Sequence, residues 1–241
     1  MINKNEFKEF DFEGEETLRA ISEANNFNRW MYESIKNYCK GDILEIGSGI
    51  GNISSFFIKA KGSFSVSDIR EQYRSYLKQI FPNINVYNIN IAESNFEDRY
   101  PDLCNKYDTV FALNVVEHIN DDKRALINML KLLKPGGILI VLVPAYQFLY
   151  NEFDSSLEHY RRYTKNSLLR IMPPNTKVLK SWYFNLAGIF GWLVVGKLAR
   201  KKTIPRSNMR LYNKLTFLFK IMDWLTFNKA GLSVIVIAQK V

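Results

Sequence analysis

A chain of 241 residues with 47% hydrophobic and 24% charged side chains has the makeup of one folded domain with a sizeable core. That balance excludes a disordered tail or a collagen-like fibre, and two cysteines, Cys39 and Cys104, exclude a disulfide framework. The net charge of +9 is unevenly placed: residues 1–24 carry −4, residues 25–159 carry −2 and residues 160–241 carry +15, with Asp223 the one acid of that last stretch. So basic a third fits an anionic partner (nucleic acid, lipid headgroups or a phosphorylated substrate) or a solvated lysine-rich surface.

Met1 to Glu16 is charged and lacks the apolar run of an export signal, so the expected compartment is the cytoplasm. From Glu15 to Cys39, apolar residues at Leu18, Ile21 and Ala24, then Phe27, Trp30, Met31, Ile35 and Tyr38, keep helical spacing and predict one or two helices. After Gly41 the pattern changes. Short apolar runs at Ile43–Ile46, Phe64–Val66, Ile84–Tyr87, Thr109–Leu113 and Ile138–Val143 alternate with helical stretches near 50–61, 70–80, 93–100 and 121–133. Strands separated by helices of this length predict parallel crossovers and a doubly wound α/β sheet. Leu133-Lys134-Pro135-Gly136-Gly137 reads as a helix stop and turn feeding the fifth strand.

Beyond Pro144 the regularity loosens. Residues 145–163 hold no convincing strand and are rich in aromatic and charged side chains. A helix is expected over 165–172, ended by Pro173-Pro174, and a sixth strand over Lys177–Phe184. Leu186–Ala199 predicts an apolar helix, Asn208–Thr226 an amphipathic one, and Leu232–Ala238 a last strand.

The most informative segment is Leu44-Glu45-Ile46-Gly47-Ser48-Gly49-Ile50-Gly51-Asn52, a buried strand running into a glycine-rich turn. Glycines there let a ligand approach the main chain closely. The dinucleotide fingerprint wants a glycine where Asn52 stands, and no Gly-Lys-Ser/Thr follows, so neither that fingerprint nor a phosphate-binding P-loop is met. An acid before the loop, Glu45, suits a cationic group better than a pyrophosphate. Asp68 should end the second strand about 20 residues on, where a carboxylate can accept from both ribose hydroxyls. A nicotinamide dehydrogenase is the rival reading at the level of the fold.

This set resembles motif I of the class I S-adenosylmethionine-dependent methyltransferases, and the resemblance covers roughly residues 28–145. Tyr107–Ile119 is similar to the family's fourth strand and the segment after it, and Leu132–Gly137 to the turn before its fifth strand. The resemblance implies a Rossmann-like, mostly parallel seven-stranded sheet in a single domain. Helices would occupy 1–40, the cofactor core 41–145, and a substrate side with a helical cap before the last strand 146–241. It further implies that Glu45, Gly47, Ser48, Gly49 and Gly51 form the loop at the methionine part of the cofactor and that Asp68 binds the ribose. Ile69, Ile91 and Ala92 would lie at the adenine, and Asn114 near the sulfonium; the family's usual acid near position 90 is replaced by Asn90.

Methyl transfer to an oxygen also needs the acceptor's proton removed, usually by His or a carboxylate. His159, in His159-Tyr160-Arg161-Arg162-Tyr163, is the first candidate, with Glu117 and His118 behind it. Ligands of this fold bind beyond the carboxyl ends of the strands, so Tyr160, Arg161, Arg162 and Tyr163 are expected to hold the acceptor, the arginines clamping an anionic group. Two histidines 41 positions apart fit no metal-ligand spacing, so no metal is expected. The absence of an Asp/Asn-Pro-Pro-aromatic segment after the fourth strand, and of any Pro-Cys pair, argues against nucleic-acid amino and cytosine-C5 methylation.

Ser181 to Gly196 carries no charge and holds Trp182, Tyr183, Phe184, Phe190 and Trp192, with Arg200, Lys201, Lys202, Arg206 and Arg210 close behind. Too short to span a bilayer, this run could lie on an anionic membrane surface, or be buried on the sheet or in a dimer. Asn28-Arg29-Trp30, the His159–Tyr163 cluster and Gly231-Leu232-Ser233 together resemble bacterial methyltransferases found with glycosyltransferases of surface-polysaccharide or lipid-linked sugar assembly. The resemblance implies O-methylation of a sugar or lipid-linked saccharide by a monomer or homodimer. The alternatives are an RNA or protein methyltransferase docking through the basic third, and a membrane-associated scaffold with a vestigial loop.

Overall fold

A computed structural model describes residues 12–60, 62–194 and 206–241. Two helices, α1 (Phe12–Ser22) and α2 (Asn25–Ile35), lead into the first strand, β1 (Ile43–Ile46). The alternation that follows is α3 (Ser54–Lys59), β2 (Phe64–Ser67), α4 (Glu71–Ile80), β3 (Asn85–Tyr87), α5 (Phe96–Arg99), β4 (Tyr107–Leu113), α6 (Asp122–Leu132) and β5 (Leu133–Pro144). The substrate-side third holds α7 (Glu152–Ser156), α8 (Lys165–Ile171), β6 (Thr176–Phe184), α9 (Leu186–Trp192), α10 (Arg206–Leu225) and β7 (Ser233–Lys240).

The strands form one sheet in the order β3-β2-β1-β4-β5-β7-β6. All neighbours from β3 to β5 pair parallel, while β7 runs antiparallel to both β5 and β6. This is the doubly wound, mostly parallel architecture expected of the sequence. Central strands such as β1 and β2 are buried along their whole length because helices cover both faces, so they read as continuous apolar runs. One core, on the side of α6, gathers Leu126, Met129, Leu139 and Val236; the other, on the side of α2 and α3, gathers Trp30, Ile35, Phe57 and Phe111. The chain order reverses between β1 and β4, and ligands of such sheets bind beyond the strand ends at that switch point.

Several boundaries differ from expectation for local reasons. The Lys134–Gly137 turn is absorbed into β5, because the chain bulges against β4: Tyr107 pairs Leu133 but Thr109 already pairs Ile138. The uncharged run from Ser181 is not one surface element. Its first part is the end of β6, with Tyr183 and Phe184 buried, and its second is α9, capped by the Asn185 side chain, which accepts from the Gly188 amide at 2.9 Å. Asp223 is buried and accepts from the amides of Asn185, at 2.6 Å, and Leu186, at 2.7 Å, which ties the start of α9 to α10. Arg200, Lys201 and Lys202 of the expected basic cluster, and the end of the expected helix at Ala199, lie outside the described residues. Among the described residues no helix is long and apolar enough to cross a membrane.

Candidate functional site

The glycine loop leaves the carboxyl end of β1 next to the switch point. Gly47, Gly49 and Gly51 all adopt positive φ, at 69°, 54° and 80°. At Gly47 the requirement is doubled, since a Cβ would come within 2.5 Å of Val115 Cγ2. The loop is stitched to β2: the Ser48 amide donates to the Ser67 carbonyl at 2.8 Å, and the Ser67 hydroxyl to the Glu45 carbonyl at 2.9 Å.

Glu45 is buried and receives a hydrogen bond from the Ser54 hydroxyl. Burial pushes its carboxyl up to about 7, against the pull of that hydroxyl, so it lacks the cation that would hold it ionised. Asp68 is buried too, and loss of solvent raises its pKa. Its two oxygens accept from the amides of Gly49 and Arg70, each at 2.9 Å, which holds the carboxylate at the mouth of the loop.

One cavity of about 780 Å³ is lined by both acids, by Gly47, Ser48 and Gly49, and by Ile69, Ile91 and Asn114. The structure thus brings eight of the ten expected cofactor residues together. The exceptions are Gly51 and Ala92, which are absent from the wall. Gly51 shapes the turn behind it, where a Cβ would come within 2.7 Å of Phe81, and the Ala92 amide donates inward to the Asn90 side chain at 3.0 Å.

The same cavity continues to His118 and His159. The two imidazoles meet edge to face with centroids 4.6 Å apart, and Glu117 lies against them with its carboxylate fully buried and neither oxygen hydrogen-bonded. Burial lifts the Glu117 carboxyl to about 8 and, with the neighbouring charges of His159 and Arg70, pushes the His118 imidazole well below its ordinary range. His159 Nδ1 sits 2.9 Å from Asp154 Oδ1. Asp154 was not among the expected residues, although Asn151-x-x-Asp154 is a capping-box spacing and the box forms at the start of α7.

Arg161 and Arg162 do not converge on one position: Arg162 lines the cavity and Arg161 does not. Arg162 is buried, with Nε donating to Asp154 at 2.9 Å, Nη1 to the Ala145 carbonyl at 3.1 Å, and its guanidinium 4.3 Å from the Trp192 ring centroid. Arg161 donates to Asp122 at 2.8 Å and to the Asn120 carbonyl at 2.9 Å, away from the cavity wall. Tyr163 is buried against Asp122 at 2.9 Å, and Tyr160 is exposed beside Arg161; neither lines the cavity. Charges inside a folded domain pair with each other before they serve a ligand, and spacing alone could not tell the two cases apart.

Residues 44–139 match the family model described as a methyltransferase domain. Similar proteins include a Mycolicibacterium smegmatis protein named "Probable S-adenosylmethionine-dependent methyltransferase", 25% identical over 54% of this chain and 50% of its own length. Another is a Rickettsia bellii protein named ubiquinone biosynthesis O-methyltransferase, 23% identical over 77% of this chain and 88% of its own. The chain thus spans half of the first relative and most of the second. Among solved structures, an S-adenosylmethionine-dependent methyltransferase from Archaeoglobus fulgidus superposes with a TM-score of 0.54 at 14% identity, covering 88% of this chain and 94% of that one. Residues 44–139 thus form a methyltransferase domain, the chain is similar to S-adenosylmethionine-dependent methyltransferases in sequence and fold, and S-adenosylmethionine is the cofactor of that domain.

Proposed function

We propose that the chain transfers the methyl group of S-adenosylmethionine to a hydroxyl oxygen of a small acceptor carrying an apolar tail, such as a lipid-linked saccharide. The carrying observation is the cavity that joins the glycine loop and Asp68 to His118 and His159, with Glu117 buried against them. Asp68 would take the ribose hydroxyls, Glu45 the cationic amino acid end, and Asn114 the edge nearest the sulfonium. The acceptor oxygen would stand between the methyl and His159, whose Asp154 partner leaves Nε2 open to receive its proton. The oxygen forms a bond to the methyl carbon as the carbon–sulfur bond breaks. The electron pair stays on sulfur and S-adenosylhomocysteine leaves. The domain's contribution is chiefly alignment, with proton removal worth about 10²–10⁴-fold.

An apolar tail is favoured by the far wall, built from Phe190, Trp192, Val194, Leu211 and Leu215 of α9, α10 and their flank. Outside it, α10 exposes Phe217 and Trp224, each 71% accessible, together with Leu218 and Leu225, beside the exposed Arg210 and Lys214. An amphipathic, basic face of that kind fits approach from an anionic lipid surface. The test is incubation with methyl-labelled S-adenosylmethionine and cell-envelope lipid extract. Label in a base-stable, lipid-extractable product supports the reading; label confined to RNA or protein contradicts it.

A further inference from the structure

We infer that Glu117, His118 and His159 form a site for a divalent first-row cation at the acceptor end of the cavity. The inference deepens the methyl-transfer reading and rests on it for its role, though not for its existence. One ligand atom from each residue lies within 4.8 Å of the other two. Bonds of about 2.1 Å place ligand atoms about 3.0–3.4 Å apart around an ion, so the three need close by no more than about 1.8 Å. Linear spacing hides the site: the short 3-10 turn Val116–His118 after β4 delivers Glu117 and His118, and the segment after α7 delivers His159 from 41 residues on.

Three observations favour a cation over a proton network. Glu117 is 0% exposed, and both of its carboxylate oxygens lack a hydrogen-bond partner. A buried carboxylate without donors is costly, and a cation supplies what is missing. Each imidazole is also oriented from behind in the manner of metal-bound histidines. His159 Nδ1 faces Asp154 Oδ1 at 2.9 Å, and the His118 ring donates to the Leu157 backbone, which leaves one nitrogen of each ring open. Finally, the surrounding charges leave room for a positive ion. Arg162 is paired with Asp154 and Arg70 stands 3.9 Å from Glu158, so Glu117 feels the Arg162 charge but receives no hydrogen bond from it.

Two imidazoles and one carboxylate suit Zn²⁺, Mn²⁺ or Fe²⁺ better than Mg²⁺ or Ca²⁺. His118 and His159 line the cavity, so a cation held there would keep a position open to the acceptor. A hydroxyl bound at that position has its pKa lowered and gives its proton to water, and the oxygen then attacks the methyl. In the loaded protein His159 is a ligand; in the metal-free protein it is left to take the proton itself.

The test uses the full, tag-free chain, stripped with chelator and titrated with Zn²⁺ by calorimetry and with Co²⁺ by visible absorption. His118 and His159 are the only histidines in the 241 residues, so any imidazole-bound cobalt spectrum reports this site. One saturable equivalent is expected, weakened about tenfold or more in Glu117→Gln and in His159→Ala, with Asp154→Asn losing about 10–100-fold. S-adenosylmethionine affinity serves as the control for folding. No saturable binding by the wild type, or equal binding by correctly folded variants, overturns the inference. Should a variant not fold, the wild-type cobalt spectrum decides: imidazole ligation supports the site and its absence overturns it. A chain that binds metal but not S-adenosylmethionine would refute the methyl-transfer reading instead.

Discussion

Asp154 Oδ1 stands 2.9 Å from His159 Nδ1 and accepts from Arg162 Nε at the same distance, so one buried carboxylate sets both the histidine and the arginine that follow it. A carboxylate only accepts, which fixes the imidazole proton on Nδ1 and points Nε2 to other work.

Replacing Asp154 with Asn should therefore cost twice. The Arg162 guanidinium, 1% exposed in its side chain, would lose its counter-charge, a loss of about 3–5 kcal/mol. Thermal and urea unfolding measure that directly. Turnover should fall by about 10²-fold or more while S-adenosylmethionine affinity stays within about twofold, because Asp154 does not line the cofactor loop.

Glu45 makes cofactor binding depend on pH. Its carboxyl titrates at about 7 in the folded chain, above the ordinary carboxylate range, so at pH 6 it is mostly neutral and at pH 8 mostly ionised. A cationic amino acid end prefers the ionised form. Calorimetric affinity for S-adenosylmethionine should rise about tenfold from pH 6 to pH 8, and Glu45→Gln should flatten the profile. For the free protein the sign is opposite. A raised folded pKa contributes stability that is complete below the unfolded value near 4.5 and is lost as pH climbs through about 7.

Asp223 joins two elements that wall the acceptor side. Asp223→Ala leaves the Asn185 and Leu186 amides without their acceptor, at about 1–3 kcal/mol each if they stay dry. Loosening the start of α9 should raise the acceptor KM several-fold with little change in cofactor affinity, a split that steady-state kinetics reads out.

On α10, Trp224 and Phe217 are surface residues, each 71% exposed. Trp224→Glu should reduce co-sedimentation with anionic vesicles by about tenfold while leaving unfolding and cofactor binding unchanged. Undiminished sedimentation would count against the membrane approach.

Much of the fold is legible in the sequence because buried parallel strands and their crossover helices each carry a distinct apolar pattern. Ile43–Ile46 emerges as a strand over the residues its apolar run marks, and Thr109–Leu113 forms most of a strand that starts at Tyr107. The cofactor half of the site is legible for a related reason: Glu45, the glycines and Asp68 lie within 24 consecutive residues, and their backbone demands are local. The acceptor half joins Glu117 and His118 to His159 from 41 residues on, so the unpaired Glu117 beside His159 leaves no trace in spacing, and Asp154, five residues before His159, reads as a helix cap rather than as its partner. The ion pairs of Arg161 and Arg162 are hidden by the same token. A sequence shows their charge but not Asp122 and Asp154, which consume it.

The central claim is that an adenosyl sulfonium rests with its ribose on Asp68. Isothermal titration of S-adenosylmethionine into the wild type and into Asp68→Ala tests it most directly. The account predicts one saturable site whose affinity drops about 100-fold in the variant, as expected when a charged group loses paired hydrogen bonds. Equal affinity in the two proteins, or binding of NADH in place of S-adenosylmethionine, would contradict it.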